Sequence, residues 1–202
     1  PRRFGKTLNL SMLQYFFEDT GDAEQNVRNR ALFTGLNIMN AGEEYISQMG
    51  CYPVIFLTLK SAKQRNFEAA YFKLKEEISE EFKRHEKQIV SGNVSEDDRT
   101  LFYEIATGKA DREVYSGSLK TLSRLLYQVT GRKVIILVDE YDVPLENAYF
   151  SGFYNEMIDF TRSLFESVLK TNAYLQFAVI TGCLRISKES IFTGLNHLNG
   201  IS

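Results

Sequence analysis

Hydrophobic residues along the chain recur at two spacings, which predict amphipathic helices alternating with buried strands. In the first segment, Leu10, Leu13 and Phe17 recur at the three-to-four-residue spacing of one helical face. Four later segments repeat this pattern, with charged residues between the apolar positions. The pattern therefore predicts helices over residues 6–18, 66–90, 95–107, 116–129 and 153–170, with short helices and loops over 23–50.

Three other segments are apolar at consecutive positions, so both faces of each would be buried. They cover residues 52–59, 133–138 and 175–182 and are rich in Val, Ile, Leu and Phe. Strands that are apolar on both faces are typical of a parallel sheet with helices packed on both sides. The alternation of such strands with helices predicts an α/β fold, and we treat residues 1–202 as one domain.

Composition narrows the class of protein further. The 24 basic and 26 acidic residues nearly balance, so net charge does not favour nucleic acid or an anionic membrane surface as a partner. The two cysteines are too few for a disulfide framework and favour the reducing cytoplasm. No apolar run approaches the ~18 residues of a membrane span. We therefore expect a cytoplasmic domain with no membrane contact.

Gly5-Lys6-Thr7 matches the closing half of the phosphate-binding pattern G-x-x-x-x-G-K-[ST]. Gly5 would let the backbone approach a phosphate, and Lys6 would place its charge on the β and γ oxygens. The Thr7 hydroxyl would complete a Mg²⁺ shell. The first glycine of the pattern would fall one place before Pro1, together with the strand that leads into the loop. Alone, the tripeptide is a weak signal, because an ordinary helix that opens with glycine and a surface lysine is common.

Asp139-Glu140 directly follows the apolar run 133–138. An acid at the carboxyl end of a buried parallel strand lies where open α/β sheets bind ligands. In a nucleotide hydrolase this is the Walker B position, where Asp139 would hold Mg²⁺ through water and Glu140 would orient or deprotonate the attacking water. The alternative is a plain strand ending in a polar loop. Three acids within four residues (139–142), together with Gly5-Lys6-Thr7, favour the nucleotide interpretation.

Two further polar residues follow the third predicted strand. Thr181 stands at its tip, where such folds carry a sensor for the γ-phosphate, and Arg185 is a planar donor suited to phosphate. An ordinary strand-end residue and a helix-entry charge are equally good interpretations. His85 is interpreted as a boundary histidine beside an apolar stripe, and the charges of residues 75–87 as a solvated helix face.

Several of these motifs together resemble the bacterial predicted AAA-ATPase-like family along the whole chain. The resemblance rests on Pro-Arg-Arg-Phe-Gly-Lys-Thr-Leu-Asn at 1–9, Tyr-Pro-Val-Ile-Phe-Leu at 52–57, Asp-Glu-Tyr-Asp-Val-Pro-Leu at 139–145, Tyr-Asn-Glu-Met at 154–157, and the segment 181–196 beginning Thr-Gly-Cys-Leu-Arg. It implies a P-loop NTPase fold, a three-layer αβα sandwich with strand order 5-1-4-3-2. The three predicted strands would be the second, third and fourth, with the first before Pro1 and the fifth after Ser202.

The resemblance also implies ATP and Mg²⁺ as ligands. Because the first loop glycine is commonly another residue in this family, Arg2 and Arg3 would help to cradle phosphate. Phe4 and Leu8 would complete the phosphate-contacting segment. Lys6, Glu140 and Arg185 would be the catalytic residues, and Thr7 and Asp139 the metal ligands.

Two functions remain open from the sequence. One is an ATPase whose hydrolysis drives conformational change in an attached domain; the other is a nucleotide-binding switch or interaction module with little turnover. The resemblance implies a C-terminal restriction-nuclease-like domain as the attached domain. A homo-oligomer and a nucleic-acid contact are left open.

Overall fold

Three parallel strands form a sheet in the computed structural model, which describes residues 5–170 and 172–183. The strands are β1 (Val54–Thr58), β2 (Val134–Asp139) and β3 (Leu175–Ile180), in the order β1-β2-β3. All six residues of the central strand β2 are buried. The prediction of three parallel strands is thus confirmed, but the predicted burial of β3 was wrong, because its side chains are intermediate or exposed. Their order agrees with the 4-3-2 part of the expected sheet, and the expected first and fifth strands lie outside the described residues.

The helices surround this sheet and agree with the sequence pattern in most places. The five predicted long segments all contain helix, and their ends lie within a few residues of the prediction. The helices are α1 (Lys6–Phe17), α2 (Ala23–Ala31), α3 (Glu43–Ile46), α4 (Phe67–Arg84), α5 (Glu86–Ser91), α6 (Glu96–Ala106), α7 (Arg112–Ser116), α8 (Ser118–Thr130), α9 (Val143–Ser151) and α10 (Tyr154–Leu169), with 3₁₀ turns at Asn37–Asn40 and Lys60–Ala62.

Each face of the sheet packs against a different group of helices. On one face Ile55, Ile136 and Val138 join a large core supplied mainly by α4, α6, α8 and α10. On the other face Ile135 and Leu137 pack against Leu10 of α1. This alternation follows from the two-residue period of a strand and gives a helix–sheet–helix arrangement. It also brings α1 against the central strand β2.

The predicted helix over 66–90 is two helices, because the chain bends at His85. The backbone of His85 (φ −94°, ψ 3°) separates α4 from α5. The side chain is 2% exposed, so its interpretation as a boundary histidine was wrong. Its Nδ1 lies 2.8 Å from Oε1 of Gln88 and its Nε2 lies 3.2 Å from the carbonyl oxygen of Val54. These contacts place the ring in the packing between α4 and β1.

Two charged side chains of α4 contact the outer edge of β1. Oε1 of Glu81 accepts a hydrogen bond of 2.8 Å from the Phe56 amide, and Arg84 donates to the carbonyl oxygen of Val54. Arg84 also pairs with Glu81 and with Glu18 at the end of α1. Glu81 is 6% exposed, so the prediction of a wholly solvated charged face was wrong. Hydrogen bonds to backbone groups of the strand edge offset the desolvation cost of burying these charges.

Candidate functional site

Helix α1 begins directly after Gly5, as the motif Gly5-Lys6-Thr7 predicts. Gly5 caps the helix with φ 71°, a left-handed conformation that favours glycine. The amide of Asn9 then donates to the Gly5 carbonyl oxygen at 2.8 Å, closing the first helical turn. That turn, Lys6-Thr7-Leu8, contains no acidic side chain. Its amides and the positive end of the helix dipole make it suitable for an anion.

Asp139 accepts hydrogen bonds from two hydroxyl groups that the sequence predicted at the same site. Thr7 Oγ1 donates to Oδ2 of Asp139 at 2.6 Å, and Thr181 Oγ1 donates to Oδ1 at 2.6 Å. Asp139 is the last residue of β2 and is 3% exposed. The structure therefore brings together the start of α1, the carboxyl end of β2 and the residue after β3.

Backbone hydrogen bonds hold Asp139 in this position. Its carbonyl oxygen accepts from the amide of Leu59 at 3.0 Å, on the β1 side. On the β3 side, the amide of Thr181 donates to the carbonyl oxygen of Val138 at 2.8 Å. Both neighbouring strands thus extend the sheet pairing to the level of the acid, which fixes its direction relative to α1.

Glu140 lies at the turn where the chain leaves β2. Its φ of 53° makes it the one non-glycine residue with positive φ among those the structure describes. A left-handed conformation costs a non-glycine residue about 1–2 kcal/mol. The turn is held by the amide of Val143, which donates to the Glu140 carbonyl oxygen at 3.2 Å. The predicted water-orienting residue is therefore partly exposed and lies on a backbone turn that costs free energy.

A second set of contacts joins the turn after β2 to the segment after β3. Oδ2 of Asp142, a side chain only 2% exposed, accepts a hydrogen bond of 2.7 Å from the Cys183 amide. The exposed thiol of Cys183 in turn lies 3.1 Å from Nζ of Lys6 and accepts its hydrogen bond. The side chain of Lys6 thus reaches from the start of α1 to the segment after β3.

Sequence reasoning gave no role to Asp142, Gly182 or Cys183. The sequence held one signal for Asp142, since it is the third acid of Asp-Glu-Tyr-Asp. It follows Asp139 through a turn, and the turn brings its carboxylate back towards β3. Burial and the neighbouring Asp142 raise the pKa of Tyr141, so this phenol stays neutral near pH 7.

Other residues predicted for the site are not all placed by the structure. Arg2, Arg3, Phe4 and Arg185 lie outside the described residues. Leu8 is in the first turn of α1 with its side chain 63% exposed, so its contribution to anion binding would come from the backbone.

The oxygen atoms of the site fit Mg²⁺. A threonine hydroxyl and a carboxylate are hard ligands of the kind that Mg²⁺ prefers. Within residues 5–170 and 172–183, no group of three or more His, Cys, Asp and Glu side chains could hold a metal ion. Nucleotide sites do not need such a group of side chains, because Mg²⁺ there is held by one or two protein oxygens, the phosphates and water.

Comparison with known families agrees with this geometry. The sequence model of the family described as "Predicted AAA-ATPase" matches residues 1–192, which include α1, all three strands and the acids after β2. The chain belongs to the predicted AAA-ATPase family. Family membership supports ATPase function for this domain.

Relatives of this predicted AAA-ATPase domain include a longer bacterial protein. The "Uncharacterized protein in vnfD 5'region" of Azotobacter chroococcum mcd 1 is 28% identical over 203 residues, which is 100% of this chain and 33% of that protein. The chain thus spans a third of the length of this relative. No solved structure matches the chain significantly. None of the described helices has the length and apolar character needed to cross a bilayer.

Proposed function

We propose that this domain binds ATP with Mg²⁺ and hydrolyses it. The observation that carries the proposal is the pair of 2.6 Å hydrogen bonds from Thr7 and Thr181 to the buried Asp139. They unite a helix N-terminus suited to phosphate with an acid at the carboxyl end of a central parallel strand. This is the relationship expected between the Walker A and Walker B segments of a P-loop ATPase.

The phosphates would lie against the first turn of α1. Lys6 would contact the β and γ oxygens, and the backbone of Gly5, Thr7 and Leu8 would supply amides to the phosphate chain. Arg2, Arg3 and Phe4 are proposed to complete the loop on its other side. Thr7 and Asp139 would hold Mg²⁺, which neutralises phosphate charge when bound.

The remaining roles concern the water and the γ-phosphate. Glu140 would orient the attacking water and accept its proton. Thr181 would sense the γ-phosphate, because its hydroxyl already contacts the acid beside the metal position. Arg185 is proposed to stabilise the charge that develops on the transferred phosphoryl group.

A nucleotide-binding switch with little turnover is the second candidate, and one observation favours it. Asp139 links α1 directly to the segment after β3, so a ligand at the phosphate site would act on both elements without hydrolysis. Hydrolysis and switching predict the same binding but differ in their need for Glu140.

At the level of the whole protein, we propose that residues 1–202 form one ATPase domain in a longer cytoplasmic chain. Nucleotide turnover would drive conformational change in an attached domain. The length of the relative from Azotobacter leaves room for the nuclease-like C-terminal domain implied by the sequence resemblance. Assembly into a homo-oligomer would let one subunit act on its neighbour's site.

Calorimetric titration of ATP with and without Mg²⁺ tests the ATP-binding proposal. The protein should extend upstream of Pro1, so that the whole expected phosphate loop is present. We expect binding that Mg²⁺ strengthens by about tenfold or more, equivalent to ~1.4 kcal/mol. Asp139→Asn keeps a hydrogen-bond acceptor but removes the charge, so it should bind ATP without the Mg²⁺ effect.

Asp159→Asn is the matched control, because this aspartate on α10 is 72% exposed and pairs only locally with Arg162. It should behave like the wild type. Failure of the wild type to bind ATP, or an undiminished Mg²⁺ effect in Asp139→Asn, would contradict the proposal.

A further inference from the structure

Asp142 holds the segment after β3 against the turn that follows β2. Its carboxylate is 2% exposed, and Oδ2 accepts the Cys183 amide at 2.7 Å. A hydrogen bond from an amide to a carboxylate is charge-assisted, so it is stronger than an ordinary backbone bond. A second bond, from the Tyr141 amide to the Thr181 carbonyl oxygen at 3.1 Å, joins the same two segments.

Close packing at Gly182 makes this junction specific. A Cβ atom at Gly182 would lie 2.6 Å from Cε1 of Tyr141, 2.8 Å from Oδ1 of Asp142 and 2.9 Å from its Cγ. These distances are shorter than real Cβ atoms adopt, so the absence of a side chain lets the carboxylate lie against the backbone. Asp142 and Tyr141 therefore hold the segment 181–183 in place.

The fixed segment presents two side chains to the phosphate site. Thr181 Oγ1 contacts Asp139 at 2.6 Å, and Cys183 Sγ accepts from Nζ of Lys6 at 3.1 Å. Both contacts cross from the β3 side towards the acid and the lysine expected to meet phosphate. Asp142 accepts the hydrogen bond of the Cys183 amide, so its effect on both groups would pass through the backbone of Gly182 and Cys183.

We propose that Asp142 is a positioning residue that gives the site its preference for nucleoside triphosphate over diphosphate. The inference rests on the proposed ATP site and adds a residue to it. Only a triphosphate has the γ-phosphate that Thr181 and Lys6 would contact together. A ligand is discriminated only by groups that differ in their interaction with the two forms, and here those groups depend on the position of segment 181–183.

The test compares affinities for ADP and for a non-hydrolysable ATP analogue in two independent variants. Asp142→Ala removes the acceptor, whereas Gly182→Ala retains the carboxylate but forces it away from the backbone of this segment. We expect both variants to lower the affinity for the analogue by about tenfold, while the affinity for ADP stays within about twofold of the wild-type value. Asp142→Asn keeps an oxygen acceptor for the Cys183 amide and should recover most of the preference. The two effects should be less than additive, because both act on one contact.

Matched controls separate positioning from general destabilisation. Asp98→Ala removes a partly buried carboxylate that pairs with Arg124 away from the site. Gly117→Ala adds a Cβ whose nearest described neighbour is 3.9 Å away. Neither should change the ratio of the two affinities. Amide hydrogen exchange at Cys183 gives a readout that needs no nucleotide, and Asp142→Ala should accelerate it by about tenfold or more.

Three results would overturn the inference: an unchanged affinity ratio in Asp142→Ala and Gly182→Ala, an equal loss of ADP and analogue accompanied by a lower melting temperature, or unchanged exchange at Cys183. If the wild type binds neither nucleotide, the proposed function and the triphosphate preference fall together. The exchange measurement then still decides whether Asp142 holds the segment.

Discussion

Thr7 Oγ1 donates a 2.6 Å hydrogen bond to Oδ2 of Asp139, although 132 residues separate them in the chain. The bond connects the first turn of α1 with the end of the central strand. Asp139 is 3% exposed whereas Thr7 is exposed, so the bond joins the buried end of β2 to a surface turn. Both proposed metal ligands are therefore positioned by each other before a nucleotide arrives, which lowers the ordering cost of binding.

Replacement of Lys6 by alanine should weaken ATP binding by at least about tenfold, or ~1.4 kcal/mol, because the charge on the β and γ oxygens is lost. Calorimetry on the protein extended upstream of Pro1 gives the value. Lys73→Ala is the control, since this lysine on α4 is 41% exposed and pairs with Glu76. Equal ATP affinity in Lys6→Ala and the wild type would contradict the assignment of residues 5–7 to a phosphate-binding loop.

Glu140→Gln should separate binding from chemistry. Glutamine keeps the size and much of the hydrogen bonding of glutamate but cannot accept the proton, so ATP should still bind while turnover falls by about 10²-fold or more. Phosphate release under saturating ATP measures the loss. A wild type that binds ATP yet hydrolyses none with any partner would favour the switch function instead.

ATP should protect Cys183 from alkylation. The thiol is exposed and accepts a hydrogen bond from Lys6, so phosphates bound by Lys6 would cover it. We expect the rate of reaction with iodoacetamide, followed by peptide mass spectrometry, to fall by about fivefold or more under saturating ATP. Cys51 precedes β1, at the opposite end of the sheet, and serves as the internal control. Equal protection of both thiols would point to a general effect rather than to occupancy of this site.

Acid should weaken the contact between α4 and the edge of β1. Burial alone would raise the pKa of Glu81, but Arg84 and His85 outweigh it and hold this pKa below its ordinary value. The folded-state pKa is therefore lower than the unfolded value of about 4.3. The stabilisation is complete above the unfolded value and is lost as the pH falls through the folded one.

Glu81→Gln should consequently lower the free energy of unfolding by about 2 kcal/mol at neutral pH, since hydrogen bonds to charged groups contribute ~1.5–3 kcal/mol. Denaturant titrations at about pH 7 and pH 3 should show a smaller loss on acidification for the variant than for the wild type. Glu80→Gln is the control, because Glu80 is 70% exposed. The explanation fails if the two variants respond to acid alike.

The elements of the fold were largely predictable because their patterns are local. The β-rich run before Asp139 gave β2 directly, and α8 ends at Gly131, a residue type that favours the left-handed conformation found there. The bend at His85 was missed, because the apolar stripe continues from Phe82 to Ile89 across it. The burial of Glu81 was also missed, since its partner is the Phe56 amide and a strand edge leaves no mark in the side-chain pattern.

The candidate site was predictable only in part for the same reason. Thr7, Asp139 and Thr181 each belong to a motif with a position in a known type of fold, so their meeting could be expected. The contact between Asp142 and the Cys183 amide could not be, because it joins a side chain to a backbone group 41 residues away. The roles assigned to these residues remain predictions for the experiments above.

Side chains of α4 occupy the outer edge of β1, so the two edges of the sheet differ in their ability to accept a further strand. Glu81 and Arg84 already satisfy the outward amide of Phe56 and carbonyl of Val54, so an additional strand would have to displace buried charges there. Among the described residues β3 pairs only with β2, and its side chains are partly exposed where those of β2 are buried. Strand addition, whether by another part of the protein or by a second molecule in an aggregate, is thereby directed to β3. Polymerisation through the β1 side is disfavoured by the same ion pairs that fasten α4 to the sheet.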